Sequence, residues 1–194
     1  MKSSRVLASS LVVGALASAV LALAAGDPAK PAAPASKKLA RGEYLATTMG
    51  CNDCHTPGTL YGAPDFSRKL SGSEMGWQGP WGVTYARNLT PDMETGLGKW
   101  SEQDIVKALR TGTRPDGSVL QPPMPWQNFT VLTDDDAFAI AAYLKSLRAV
   151  AHKVPDIVPP GQAATGSVLA FPPPSAWDAP AQPPSQQPVG ATGK

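Results

Sequence analysis

Cys51-Asn52-Asp53-Cys54-His55 is the stretch on which the reading of this chain turns. The 194 residues hold two cysteines and two histidines, and three of those four side chains fall inside this pentapeptide. C-x-x-C-H reads as a c-type haem attachment site. In that chemistry two thiols add to the two vinyl groups of one haem, and the adjacent imidazole takes an axial position on the iron. A spacing of two residues lets both sulfurs reach the same macrocycle.

Three other chemistries use similar residues. A thioredoxin-like dithiol places C-x-x-C between a buried strand and a helix start, whereas the residues before Cys51 read as helix. A zinc site needs four ligands, commonly two such pairs, and here there is no second Cys pair and His152 is the only other histidine. A plain Cys51–Cys54 disulfide suits an oxidising compartment but gives His55 no role. Haem attachment through Cys51, Cys54 and His55 is the expectation.

Outward from this site, composition divides the chain. Met1 to about Ala25 has Lys2 and Arg5, an uncharged apolar run centred on Leu11 to Leu23, and Ala22-Leu23-Ala24-Ala25 before Gly26. This is the pattern of a cleaved secretory signal, which places the mature protein in the periplasm. The rival is an uncleaved anchor of about twenty residues, so membrane attachment is expected only if that segment is kept. Residues 26–37 repeat Pro, Ala and Lys as a linker. The haem domain is expected at 38–152. Of 21 prolines, 10 follow Lys153, so 153–194 reads as a disordered Pro-rich tail that the domain can lose. Without Lys2 and Arg5, basic and acidic side chains balance from Gly26 onward. No basic run suggests nucleic acid.

Three capped helices are predicted. Leu39, Tyr44, Leu45 and Met49 form a helical stripe, and Gly50 suits the position past its end. Ser101 with Asp104 starts a second helix with Ile105, Val106 and Leu109 on its buried side, and Gly112 ends it. Thr133 with Asp136 starts a third, in which Phe138, Ile140, Ala141, Leu144 and Leu147 recur. Asp134, Asp135 and Asp136 answer the helix dipole rather than a metal. Between the first two helices, residues 56–99 read as a long Gly- and Pro-rich loop, in which Trp77 and Trp81 either line a haem edge or pack beneath the loop. Prolines on both sides of Met124 make Pro122-Pro123-Met124-Pro125 a stiff extended segment, able to hold a thioether toward a metal.

These residues carry a family likeness. Leu39 to Ala151 resembles class I mono-haem cytochromes c in Arg41-Gly42-Glu43-Tyr44-Leu45 running into Cys51 to His55, in Pro122-Pro123-Met124-Pro125, and in Leu132-Thr133-Asp134-Asp135-Asp136 leading to Ala142-Tyr143-Leu144. Asn88-Leu89-Thr90-Pro91-Asp92 with Thr95-Gly96-Leu97-Gly98 is similar to the cytochrome subunits of periplasmic alcohol and sugar dehydrogenases. The resemblance implies a small all-α fold of three to five helices around one covalent haem c, with crossing first and last helices. It implies His55 and Met124 as the iron ligands, in preference to Met49, Met75, Met93 or His152. That ligand pair favours a high reduction potential.

The expected function is single-electron transfer, with no bond-making chemistry by side chains. A dehydrogenase is the expected donor, and an oxidase or another cytochrome the acceptor. A haem peroxidase component or a gas sensor is the alternative, and either requires a displaceable axial ligand.

Overall fold

The structure, a computed structural model, describes residues 34–173. The expected signal peptide at 1–25 lies outside the described residues, as does Trp177. Four α-helices form the body: α1 (Pro34–Thr48), α2 (Cys51–His55), α3 (Glu102–Thr111) and α4 (Asp134–Ser146). No described helix is long and apolar enough to cross a membrane.

Local signals account for the helix ends. Ser101 Oγ accepts from the Asp104 amide at 3.1 Å while the Asp104 carboxylate accepts from the Ser101 amide at 2.9 Å, a complete capping box. Gly112 closes α3 at φ 67°, donating to the Ala108 carbonyl. Thr133 caps α4 by accepting from the Asp136 amide. The three aspartates that follow complement the helix dipole, and two also pair with arginines: Asp134 with Arg110 at 2.7 Å, Asp136 with Arg41 at 2.8 Å. The first helix starts at Pro34, inside the stretch expected as linker. A proline in the first turn gives up only an amide that has no intrahelical partner there.

Helices α1 and α4 cross closely, as the resemblance implied. Leu45 and Ala46 of α1 are buried against Ala137, Ile140, Ala141, Tyr143 and Leu144 of α4, with Ile105, Val106 and Leu109 of α3 completing the cluster. The crossing point is Gly42. A Cβ there would overlap the Ala139 carbonyl oxygen and come within 2.7 Å of Tyr143 Cβ.

The all-α expectation needs correction. Residues 76–85 are a β-hairpin, β1 (Gly76–Gly79) with β2 (Gly82–Tyr85), and β3 (Val168–Ala170) adds in parallel to β1, giving the order β2-β1-β3. The expected loop at 56–99 thus holds two strands and two short 3₁₀ turns, at Thr59–Tyr61 and Phe66–Arg68. The tail also differs from expectation. Residues 153–171 run back along the hairpin: Val154 is buried with Val83 and Tyr85, Val158 pairs with Val83, and Phe171 meets Trp81 and Trp77 at ring-centroid distances of 5.4 and 6.1 Å. The prolines conceal a sparse set of apolar residues, enough to cover one face of a two-stranded ribbon that could not stand alone in water. That contact also settles the tryptophans, which pack with the tail.

Candidate haem-binding site

Gly50, at φ 75°, ends α1 and reverses the chain into the single turn of α2, so Cys51 and Cys54 stand three residues apart on one helical turn. No disulfide joins them. Burial raises the Cys51 thiol to about 11 and pushes the Cys54 thiol up as well.

His55 is buried, and its ring is fixed. Nδ1 lies 2.7 Å from the backbone oxygen of Arg87. A carbonyl only accepts, so Nδ1 carries the proton and donates, which leaves Nε2 as the basic nitrogen. Nε2 has no hydrogen-bond partner among the described residues. Burial lowers the His55 pKa, outweighing the opposing pull of the Arg87 carbonyl, and so favours the neutral ring that binds metals. The next residues hold this turn in place. Gly72 donates to the His55 carbonyl at 2.8 Å, and Thr56 Oγ1 accepts from the Leu70 amide at 3.0 Å.

Met124 lies on the segment between α3 and α4. This segment turns at Pro122–Pro123 rather than running extended, and the Met124 amide closes onto the Gln121 carbonyl. Thr84 of β2 donates its hydroxyl to the Pro122 carbonyl at 2.6 Å, and the Leu120 amide donates to the Gly112 carbonyl. The Trp126 ring lies over Gly112, where a Cβ would come within 2.6 Å of it. Met124 itself borders a cavity of about 180 Å³ with Leu120, Pro122, Pro123, Pro125 and Trp126. Met124 and Cys51 are both partly buried against the main hydrophobic cluster.

His152 has Nδ1 at 2.8 Å from the Ser71 carbonyl and Nε2 at 2.6 Å from the Glu74 carboxylate. Met49 packs against the same hydrophobic cluster as Met124, Met93 is exposed, and the Met75 sulfur accepts from the Tyr61 hydroxyl. No group of three or more His, Cys, Asp or Glu among the described residues could hold a metal ion. The donor set that remains is soft sulfur and one oriented imidazole, which fits a haem attached by C-x-x-C-H. Sequence reasoning missed Arg87, whose contribution is a backbone carbonyl that any residue type supplies.

The family model for cytochrome c matches residues 39–148, more than half of the chain. The chain belongs to the cytochrome c family. It is 41% identical over 120 residues to the cytochrome c subunit of the quinone alcohol dehydrogenase of Gluconobacter oxydans, covering 60% of this chain and 23% of that protein. It is 37% identical over 133 residues to the gluconate 2-dehydrogenase cytochrome c subunit of Pantoea cypripedii, covering 69% of this chain and 26% of that protein. A diheme cytochrome c-type protein of Cereibacter sphaeroides is 32% identical over 111 residues, covering 55% of this chain and 35% of that protein. This cytochrome therefore spans about a quarter of the length of the first two relatives. Those first two are named as cytochrome c subunits of dehydrogenases. The Asn88–Gly98 segment of this cytochrome has a local purpose: Asn88 holds Thr90, Thr95 and the Val150 carbonyl, and Asp92 accepts from the Thr95 amide and hydroxyl.

Proposed function

We propose that this cytochrome is a periplasmic single-electron carrier with one haem c, held by thioethers at Cys51 and Cys54 and ligated by His55 Nε2 and Met124 Sδ. The haem supplies a one-electron ferric/ferrous couple. The observation that carries the reading is the fixed tautomer of His55, whose Nδ1–H is committed to the Arg87 carbonyl while Nε2 is left to bind iron. The single C-x-x-C-H supports one haem, and the leader with Lys2, Arg5 and Ala22 to Ala25 supports export. A dehydrogenase is the proposed electron donor, supported by relatives named as subunits of such enzymes. An oxidase or another cytochrome is the proposed acceptor.

Two substitutions test the assignment. Cys51→Ala with Cys54→Ala should leave no haem on a denaturing gel stained for haem, and persistent stain refutes attachment there. The reduced parent should show little spectral change under carbon monoxide, and Met124→Ala should bind it readily. Rapid, tight binding by the parent would favour a gas sensor or peroxidase component.

A further inference from the structure

The segment after α4 does more than cover the hairpin. It lies beyond the residues matched by the family model, and it closes over the stretch of chain that orients His55. Arg87, whose carbonyl accepts from His55 Nδ1, sits two residues past β2 in a middle layer. On its inner side that layer is tied to residues 70–73: the Ser73 amide donates to the Ala86 carbonyl at 3.0 Å and the Leu89 amide to the Leu70 carbonyl at 2.8 Å.

Residues 150–158 tie the same layer at several further points. Asn88 Nδ2 donates to the Val150 carbonyl at 2.8 Å, and the Val150 amide to Thr90 Oγ1 at 3.1 Å. Arg87 Nη1 donates to the Pro155 carbonyl at 3.0 Å. Val83 and Val158 exchange both backbone hydrogen bonds, at 2.8 and 2.9 Å. Between these ties Val154, 4% exposed, fills the space beside Val83 and Tyr85 and reaches Gly72, where a Cβ would lie 2.6 Å from its Cγ1. Gly72 is the residue that donates to the His55 carbonyl. Val154 therefore packs against Gly72 and against the strand β2 that leads into Arg87.

We propose that residues 150–158 are a positioning strap for the iron ligand: by fixing the Arg87 carbonyl from its outer side they set the strength of its hydrogen bond with His55, and through it the reduction potential. Hydrogen-bond strength falls steeply with length and misalignment, and a carbonyl whose side chain and flanking residues are tied to two other segments has less freedom to swing out of line. Donation from Nδ1 makes the imidazole a more basic ligand. A more basic ligand favours the ferric state, so a firm strap holds the potential down and a loosened one lets it rise. This inference rests on His55 as an iron ligand.

The test uses full-length, haem-loaded protein and neutral substitutions, so that no charge change reaches the iron. Val158→Pro deletes the amide that donates to Val83, Val154→Ala removes the packing, and Val158→Ile keeps both. Midpoint potential is read by spectroelectrochemistry, and exchange of the His55 ring proton by NMR. Val154→Ala and Val158→Pro should shift the ferric/ferrous balance several-fold toward ferrous, a tenfold shift being 59 mV for one electron. Both should also speed ring-proton exchange, while Val158→Ile matches the parent. Parental potential and parental ring-proton protection in haem-loaded Val154→Ala overturn the strap, and that variant decides the matter if Val158→Pro does not fold. A parent lacking haem refutes the ligand assignment itself, and the strap with it.

Discussion

Gly42→Ala sets two physical effects against each other. Position 42 is in the interior of α1, where alanine is favoured over glycine by about 1 kcal/mol because glycine loses more backbone freedom on folding. On an exposed face the substitution would therefore stabilise. Here the new methyl overlaps the Ala139 carbonyl and stands 2.6 Å from the Ala139 carbonyl carbon and 2.7 Å from Tyr143 Cβ. None of these atoms can rotate away, since all belong to or are rooted on the α4 backbone. The helices must separate, loosening the contacts of Leu45, Ala46 and Ile140. Overpacking of a tight core costs about 1–3 kcal/mol and occasionally more, and a rigid backbone neighbour puts this site at the upper end. Subtracting the propensity gain leaves a net loss of about 2 kcal/mol, or roughly 8 °C in Tm at about 4 °C per kcal/mol for a domain of this size. Thermal unfolding followed by far-UV circular dichroism measures it. Ala40→Gly on the exposed face of the same helix is the reference, with an expected loss of about 1 kcal/mol. A Gly42→Ala protein as stable as the parent, or more so, refutes the close crossing.

A chain ending at Lys153 should lose about 2–4 kcal/mol, from the buried Val154 and the partly buried Val158 and Val168; an unchanged denaturant midpoint would show that the strap adds nothing to stability. Acid unfolding gives a second reading, at Asp65. Its carboxylate is lowered from 3.8 to about 2 by hydrogen bonds from the Ser67 hydroxyl and the Arg68 guanidinium. A folded value below the unfolded one means that the contribution is present above pH 3.8 and fades as pH falls toward 2. Asp65→Asn should therefore flatten the stability profile in that window alone, and a parallel profile across it argues against the turn.

What the sequence determined by itself was local. The capping box at Ser101 and Asp104, the stop at Gly112, the Thr133 cap and the haem-attachment pentapeptide each depend on residues within a few positions of one another. Residue type then carries the information directly. Periodicity also located the helical faces, because burial along a helix recurs every three to four residues. The three-stranded sheet, the strap and the carbonyl that orients His55 were decided by tertiary structure. Val83 meets Val158, Trp81 meets Phe171 and His55 meets Arg87 across 75, 90 and 32 residues of chain, and nothing in the identity of either partner announces the other. The Arg87 carbonyl is the extreme case. Every residue carries a backbone oxygen, so only the path of the folded chain could select the one that faces His55.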